Sequence, residues 1–308
     1  MTGRTGGGVS VENDDGTTAL PPGLAAAWGL RERSPKGPRR GLSLDRIVAA
    51  AVEVAAAEGI GAVSMGRVAK HLGASPMALY RYVTAKDELL LLMVDAATGP
   101  PAPPPAPGGG WRPELTHWAT AQRAVLLRNP WVLRVPISGP PVAPNAIAWM
   151  EQGLAALRDT ALAPGDKASV ILLVSSYARS EASLHTDIAE AGRKAAASQA
   201  DAATDPTAAP TADPSAEALR GYADLLRALT SAGTHPHLHT VLDSGAFDTA
   251  DDPDADFRFG LDRLLDGIET LVRTRERSRA ESGSAPGPGS DPGSEAGSEQ
   301  GPDTPPGP

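Results

Sequence analysis

Residues 64–83 read SMGRVAKHLGASPMALYRYV. Ser64 is a good N-cap for a short helix through Leu72, because its oxygen can accept an unpaired amide of the first turn. Gly73 supplies a sharp turn where a Cβ would be strained. Ser75 is placed to cap a second helix, and Pro76 falls at its first position, where a missing N–H costs nothing. Ala69 lets the two helices cross closely, and Val68, Leu72, Leu79 and Val83 supply a shared apolar interior. Two helices joined by a three- to four-residue turn form a helix-turn-helix, whose second helix fits a major groove about 12 Å wide. An ordinary helical hairpin has the same spacing, so the flanking residues decide. Leu79-Tyr80-Arg81-Tyr82-Val83 sets aromatic hydroxyls beside a cation. Thr84-Ala85-Lys86-Asp87 then opens a further helix with Lys86 at an N-terminus suited to phosphate. The basic arm Lys36 to Arg40 sits just before the first helix, where it can follow a groove or the backbone.

Charge supports this reading once it is taken locally. Arg31 to Lys86 holds ten Lys and Arg against four acids, a surplus of six in a chain of net charge −9. Phosphate binding needs a local basic patch, and the global sign matters less. The 308 residues include no Cys, so disulfides and thiolate metal sites are excluded and a reducing, cytoplasmic setting is expected. No apolar run reaches the roughly 18 residues a membrane helix requires. The Gly-rich N-terminus has no signal-peptide core.

Outward from the motif, the pattern is helical throughout, and an all-α fold is expected. Ser43 caps a first helix with Leu44, Ile47, Val48, Ala51, Val54 and Ala55 on one face, ended by Gly59. Later helices are expected at 115–128, 145–157, 166–191, 216–229 and 257–277. Pro- and Gly-rich stretches divide the chain. Residues 1–40 are expected to be mostly disordered, with at most a helical turn over Leu24 to Leu30. Residues 41–98 form the helix-turn-helix domain, 99–110 a linker, and 111–278 a larger helical domain with a mobile loop at 195–215. Residues 279–308 form a disordered acidic tail, with five acids and no Lys or Arg from Glu281 onward.

Leu42 to Met93 resembles the TetR family of repressors. Ala69…Leu72-Gly73, Leu79-Tyr80-x-Tyr82-Val83 and Lys86-Asp87-Glu88-Leu89-Leu90 carry the likeness together. Residues 111–275 are similar, more loosely, to the tetracycline-repressor-like C-terminal domain, through LLRNPW at 126–131, the long apolar helix from Asp166, and FRFGL at 257–261. The resemblance implies a homodimer joined by a four-helix bundle, a palindromic double-stranded DNA operator, and a small-molecule effector bound in the body that changes the separation of the two reading heads. Carried onto matching positions, it implies that Ser75, Met77, Ala78 and Tyr80 face base edges while Tyr82 and Lys86 hold phosphates. Ser64, Arg39 and Arg40 complete the expected DNA contacts. Met77 and Ala78 can meet thymine methyls but cannot read guanine.

The remaining constellations are weighed against plainer roles. His235, His237 and His239 spell HPHLH, and Pro236 with the short spacing suggests a loop rather than a metal site. The family's tetracycline-binding members use a histidine-coordinated magnesium; Pro136 stands where that His is needed, so neither tetracycline nor any obligate metal or cofactor is expected. His117, Trp118, Trp131, Trp149 and Tyr177 are the candidate effector-pocket residues, with core packing as the plainer alternative. No catalytic triad, carboxylate pair or phosphate loop has a suitable setting, so no enzyme is expected. The function expected is a DNA-binding transcriptional regulator, a repressor released by its effector. The alternative is a helical interaction protein that keeps the fold without reading DNA.

Overall fold

The computed structural model describes residues 11–12, 18–30, 42–105, 109–202, 214–247, 252 and 254–283. Local capping builds the N-terminal head. Ser43 starts α2 (Leu44–Glu58) by accepting the Arg46 amide at 3.3 Å. A 3-10 turn at Ile60–Ala62 leads to α3 (Met65–Leu72), which Ser64 caps by accepting the Arg67 amide at 3.1 Å. Gly73 ends α3 in the left-handed region at φ 64°, where a side chain would be strained. α4 (Pro76–Leu79) and α5 (Lys86–Thr98) follow. Ile47, Val54, Val68, Leu79, Leu89 and Met93 from these helices are buried together, each stabilising the head by about 1.5–3 kcal/mol.

The body comprises α6 (Trp111–Arg128), a 3-10 turn at Pro130–Arg134, α7 (Pro144–Ala156), α8 (Pro164–Ala202), α9 (Pro214–Leu229), α10 (Pro236–Asp243) and α11 (Ala255–Gly283). Its core joins Leu115 and Trp118 of α6, Trp149 of α7, Ile171 and Val174 of α8, and Phe257, Leu261 and Leu265 of α11. α6 and α7 approach closely because Gly153 faces Trp118; a Cβ there would stand 2.8 Å from the indole ring. Charges tie the last helix down. Arg112 of α6 reaches Asp266 at 2.8 Å and Glu269 at 3.3 Å on α11.

Several expectations change. A helix, α1 (Pro22–Ala27), lies within the arm expected to be mostly disordered, with Leu24 only 1% exposed. Six residues are too few for a periodic signal, and its stabilising partners come from far along the chain. A two-residue antiparallel ladder pairs Val11–Glu12 with Thr18–Ala19, a minor addition to the all-α fold that was expected. The loop expected at 195–215 is helical up to Ala202 and again from Pro214; residues 203–213 lie outside the described set. Ala-rich sequence continues the helix there. Likewise α11 extends to Gly283, past the expected start of the tail. HPHLH opens α10 rather than lying in a loop, because Pro236 occupies the first helical position.

Candidate nucleic-acid interface and sensing body

The reading surface grows from the turn at Gly73. Four residues of α4 turn Leu79 fully inward and leave Met77 74% exposed and Tyr80 44% exposed. Large side chains with no intramolecular partner on a groove-sized helix suit insertion among base edges. Ala78 is half-buried beside them. Ser75 is exposed and makes no capping bond, so its hydroxyl is not spent on its own helix. Lys86 stands exposed in the first turn of α5, where free amides and positive charge converge. Ser64 is exposed, and its oxygen is engaged by the Arg67 amide while its proton remains to donate.

One expected contact, Tyr82, is engaged within the chain. Tyr82 donates its hydroxyl to the Leu42 carbonyl at 2.8 Å, so its one proton fixes the entry to α2. Holding a phosphate through that proton would break this bond. Arg39 and Arg40 lie outside the described residues. On the flank, Arg67 pairs with Glu58 through two nitrogens, and His71 meets Glu53 at 2.8 Å. The Arg67 hydrogen bond holds the Glu58 carboxyl below its usual range.

Head and body meet along one face of α7. Asp95 of α5 accepts the Ala146 amide at 2.9 Å and the Asn145 side-chain amide at 3.1 Å, capping α7. Burial is the largest influence on Asp95 and pushes its carboxyl up despite these bonds. Further along α7, Trp149 donates to the Gly99 carbonyl at 2.9 Å and Gln152 to the Ala102 carbonyl at 2.6 Å. Residues 145, 149 and 152 fall on one helical face, so α7 grips the end of α5 and the expected linker at three points. A second bridge runs through the 3-10 turn at Pro130–Arg134. Trp131 and Val132 belong to the head's core, and Arg179 of α8 holds the carbonyls of Val132 and Leu133 at 3.3 Å. Burial lowers the Arg179 guanidinium from its ordinary value.

The candidate effector residues do not gather at one point. Trp118 and Trp149 meet in the body core, where the Trp118 indole donates to the Trp149 carbonyl at 2.9 Å. Trp131 lies in the head's core instead. Tyr177 stacks on Phe257 with ring centroids 5.7 Å apart and donates to the Phe257 carbonyl at 3.0 Å. Beside it the buried Arg123 pairs with Glu181 and, at 2.7 Å, with Asp254. Among the described residues, three buried polar atoms have no partner: His117 Nε2, Trp131 Nε1 and Gln152 Oε1. A buried polar group left unpaired costs about 1–3 kcal/mol. Gln152 and Asp95 were not singled out by the sequence; each acts through partners 50 or more residues away, which no local pattern marks. Among the described residues, no cluster of three or more His, Cys, Asp or Glu is arranged to hold a metal. No helix among them is long and apolar enough to cross a membrane.

One face of α11 is mostly covered from within. Leu261, Leu265, Ile268 and Val272 are buried in the body core. What stays open is a shallow groove where Leu264, Gly267 and Leu271 of α11 meet Leu173 of α8.

Comparison with known proteins fits this geometry. Residues 47–93 match the family model described as bacterial regulatory proteins, tetR family, and residues 103–272 match the tetracyclin repressor-like C-terminal domain. The HTH-type transcriptional repressor DrrR1 of Streptomyces coeruleorubidus is 36% identical over 276 residues, spanning 89% of this chain and 94% of that protein. An HTH-type transcriptional regulator of Saccharopolyspora erythraea is 34% identical over 44% of this chain and 58% of its own. Among solved structures, the Streptomyces coelicolor protein ActR in complex with actinorhodin aligns with a TM-score of 0.57 and 28% identity, covering 75% of this chain and 99% of that one.

Proposed function

Because this chain belongs to the TetR family of bacterial regulators, and is therefore a DNA-binding transcriptional regulator rather than an enzyme, we propose that it is a repressor which leaves a palindromic operator when a small-molecule effector binds its body. The observation that carries the reading is the exposure of Met77 and Tyr80 on α4, beside Ser75 and Lys86. Base contacts come from Ser75, Met77, Ala78 and Tyr80, and phosphate contacts from Lys86 and Ser64. Two such heads require a dimer, whose twofold axis matches a palindrome. The groove lined by Leu173, Leu264 and Leu271 is the apolar surface that a second copy covers.

The effector acts on the joint between head and body. A ligand shifts the equilibrium only by its differential affinity for the two head positions. His117, Gln152 and Trp131 offer it unpaired polar atoms. ActR, a relative by structure, is seen with actinorhodin, which makes that compound the first probe. Movement of α7 then reaches α5 through Asp95, Trp149 and Gln152.

Gel shift with the DNA upstream of the protein's own gene tests the reading. We expect binding that survives excess random DNA and weakens on adding actinorhodin or a related aromatic compound. Lys86→Ala should weaken binding to every sequence and flatten the salt dependence by about one unit of slope, whereas Met77→Ala should change sequence preference. Equal affinity for all DNA would favour an interaction protein that kept only the fold.

A further inference from the structure

We propose that Leu20–Trp28 is an intramolecular strap that fixes the angle between head and body; its consequence for regulation rests on the two-position reading above. One buried carboxylate anchors it. Glu88, 1% exposed, accepts the Thr84 amide at 2.6 Å and the Thr84 hydroxyl at 2.8 Å, which starts α5. Its other oxygen accepts the Gly23 amide at 2.6 Å and the Leu24 amide at 3.3 Å, which starts α1. Capping α5 needs only the Thr84 bonds. Burying the charge also against α1 is tolerable because all four donors satisfy it.

The seat is fitted to the strap. A Cβ on Gly23 would lie 2.9 Å from Glu88 Oε1, 3.0 Å from Leu92 and 3.1 Å from the Tyr82 carbonyl, so only glycine fits. At its far end the Trp28 indole donates to the Val142 carbonyl at 2.8 Å, one residue before the residue that leads into α7. Asp95 of α5 already binds the start of α7. The strap, α5 and the start of α7 therefore close a triangle. The Gly23–Trp28 side rises about 7.5 Å and the Glu88–Asp95 side about 10.5 Å at helical pitch. A triangle with fixed sides has fixed angles, so the head pivots on α7 only if a corner opens. The strap's bonds thus belong to one head orientation and stabilise it selectively.

The absence of Cys allows clean spin labelling. Labels at Ala57→Cys on α2 and Thr120→Cys on α6, both exposed, report the head-to-body distance, with labelled chains diluted into unlabelled ones. The parent should give one narrow distribution. Trp28→Phe, which removes the indole N–H with its five-membered ring at a part-exposed position, should broaden and shift it while the unfolding midpoint stays put. Gly23→Ala, which unseats α1, should do so more strongly. Distances unchanged in both variants would overturn the proposal. So would a change in Gly23→Ala alone that tracks lost thermal stability, since the segment would then be a piece of the head's core. The single Ala57→Cys label reports head-to-head distance separately. Its silence would remove the dimer and leave the strap to be judged by the paired labels.

Discussion

Ser64 and Arg67 stand three residues apart, and their hydrogen bond starts a helix of the head. Arg112 and Glu269 stand 157 residues apart, and their ion pair helps to close the body. In the head, neighbours set the helix boundaries: Ser43 and Ser64 cap helices, Gly73 turns the chain, and Pro76 begins the reading helix. The body is assembled at a distance, through Trp118 on Trp149 and Gly153, Arg123 with Glu181 and Asp254, and Tyr177 on Phe257. The difference suits the tasks proposed for them. A surface that must match a groove of fixed dimensions benefits from local rigidity. A sensing domain has to change shape, and non-local contacts can be exchanged without refolding each helix.

The largest test of this contrast is Trp118→Ala. It removes a buried indole and its bond to the Trp149 carbonyl, and should cost about 4 kcal/mol. Denaturant unfolding measures it. A loss near zero would mean that the body has no single cooperative core. Next comes Arg123→Met, which leaves Glu181 without its buried cation and should cost about 3 kcal/mol in the same assay. Here the double variant Arg123→Met with Glu181→Leu sharpens the point, since removing both charges should recover most of the loss. In the head, Ser64→Ala should cost only about 1 kcal/mol, because it deletes one local cap. If the head variant proved as damaging as those in the body, the contrast would fail.

The same contrast explains what the sequence disclosed. Caps, turn glycines and the Pro76 start are written in adjacent letters, so the helix-turn-helix was legible almost residue by residue, except that Ser75 stands at the N-cap of α4 without making the capping bond expected of it. In the body, the expected helix starts fell within a few residues of those observed, because periodicity is also local. Which faces meet was not legible: no local pattern says that Leu261, Leu265 and Ile268 are covered by the chain's own helices. Trp131 lies in a body segment by sequence and in the head's core by packing. The resemblance put Tyr82 against a phosphate, and no local pattern says that its proton goes to Leu42, 40 residues back. α1 was legible only as a helical turn over Leu24 to Leu30, and its cap was not, since Glu88 supplies it from 65 residues away.

The smallest expected effect lies at the seam between the two regions, on Asp95. Burial raises its carboxyl in the folded protein above its unfolded value, against the pull of the Asn145 and Ala146 bonds. The folded state therefore binds a proton more readily than the unfolded one over the interval between those values, and there stability falls as pH rises. Acidifying from about pH 7 should let the folded protein gain from this group, with the gain complete once pH drops below the ordinary Asp value of about 3.9. Glu58, Glu190 and Asp266 act in the opposite sense, since hydrogen bonds from Arg67, Lys194 and Arg263 lower them. The parent's own pH curve mixes the two signs. Asp95→Asn keeps one oxygen to accept the Ala146 amide and cannot titrate, so the difference between parent and variant isolates Asp95. That difference, measured by denaturant unfolding at a series of pH values, should move in the parent's favour as pH falls. A difference that moved the other way would mean that the α7 amides outweigh burial, and that Asp95 holds head to body most firmly as an anion.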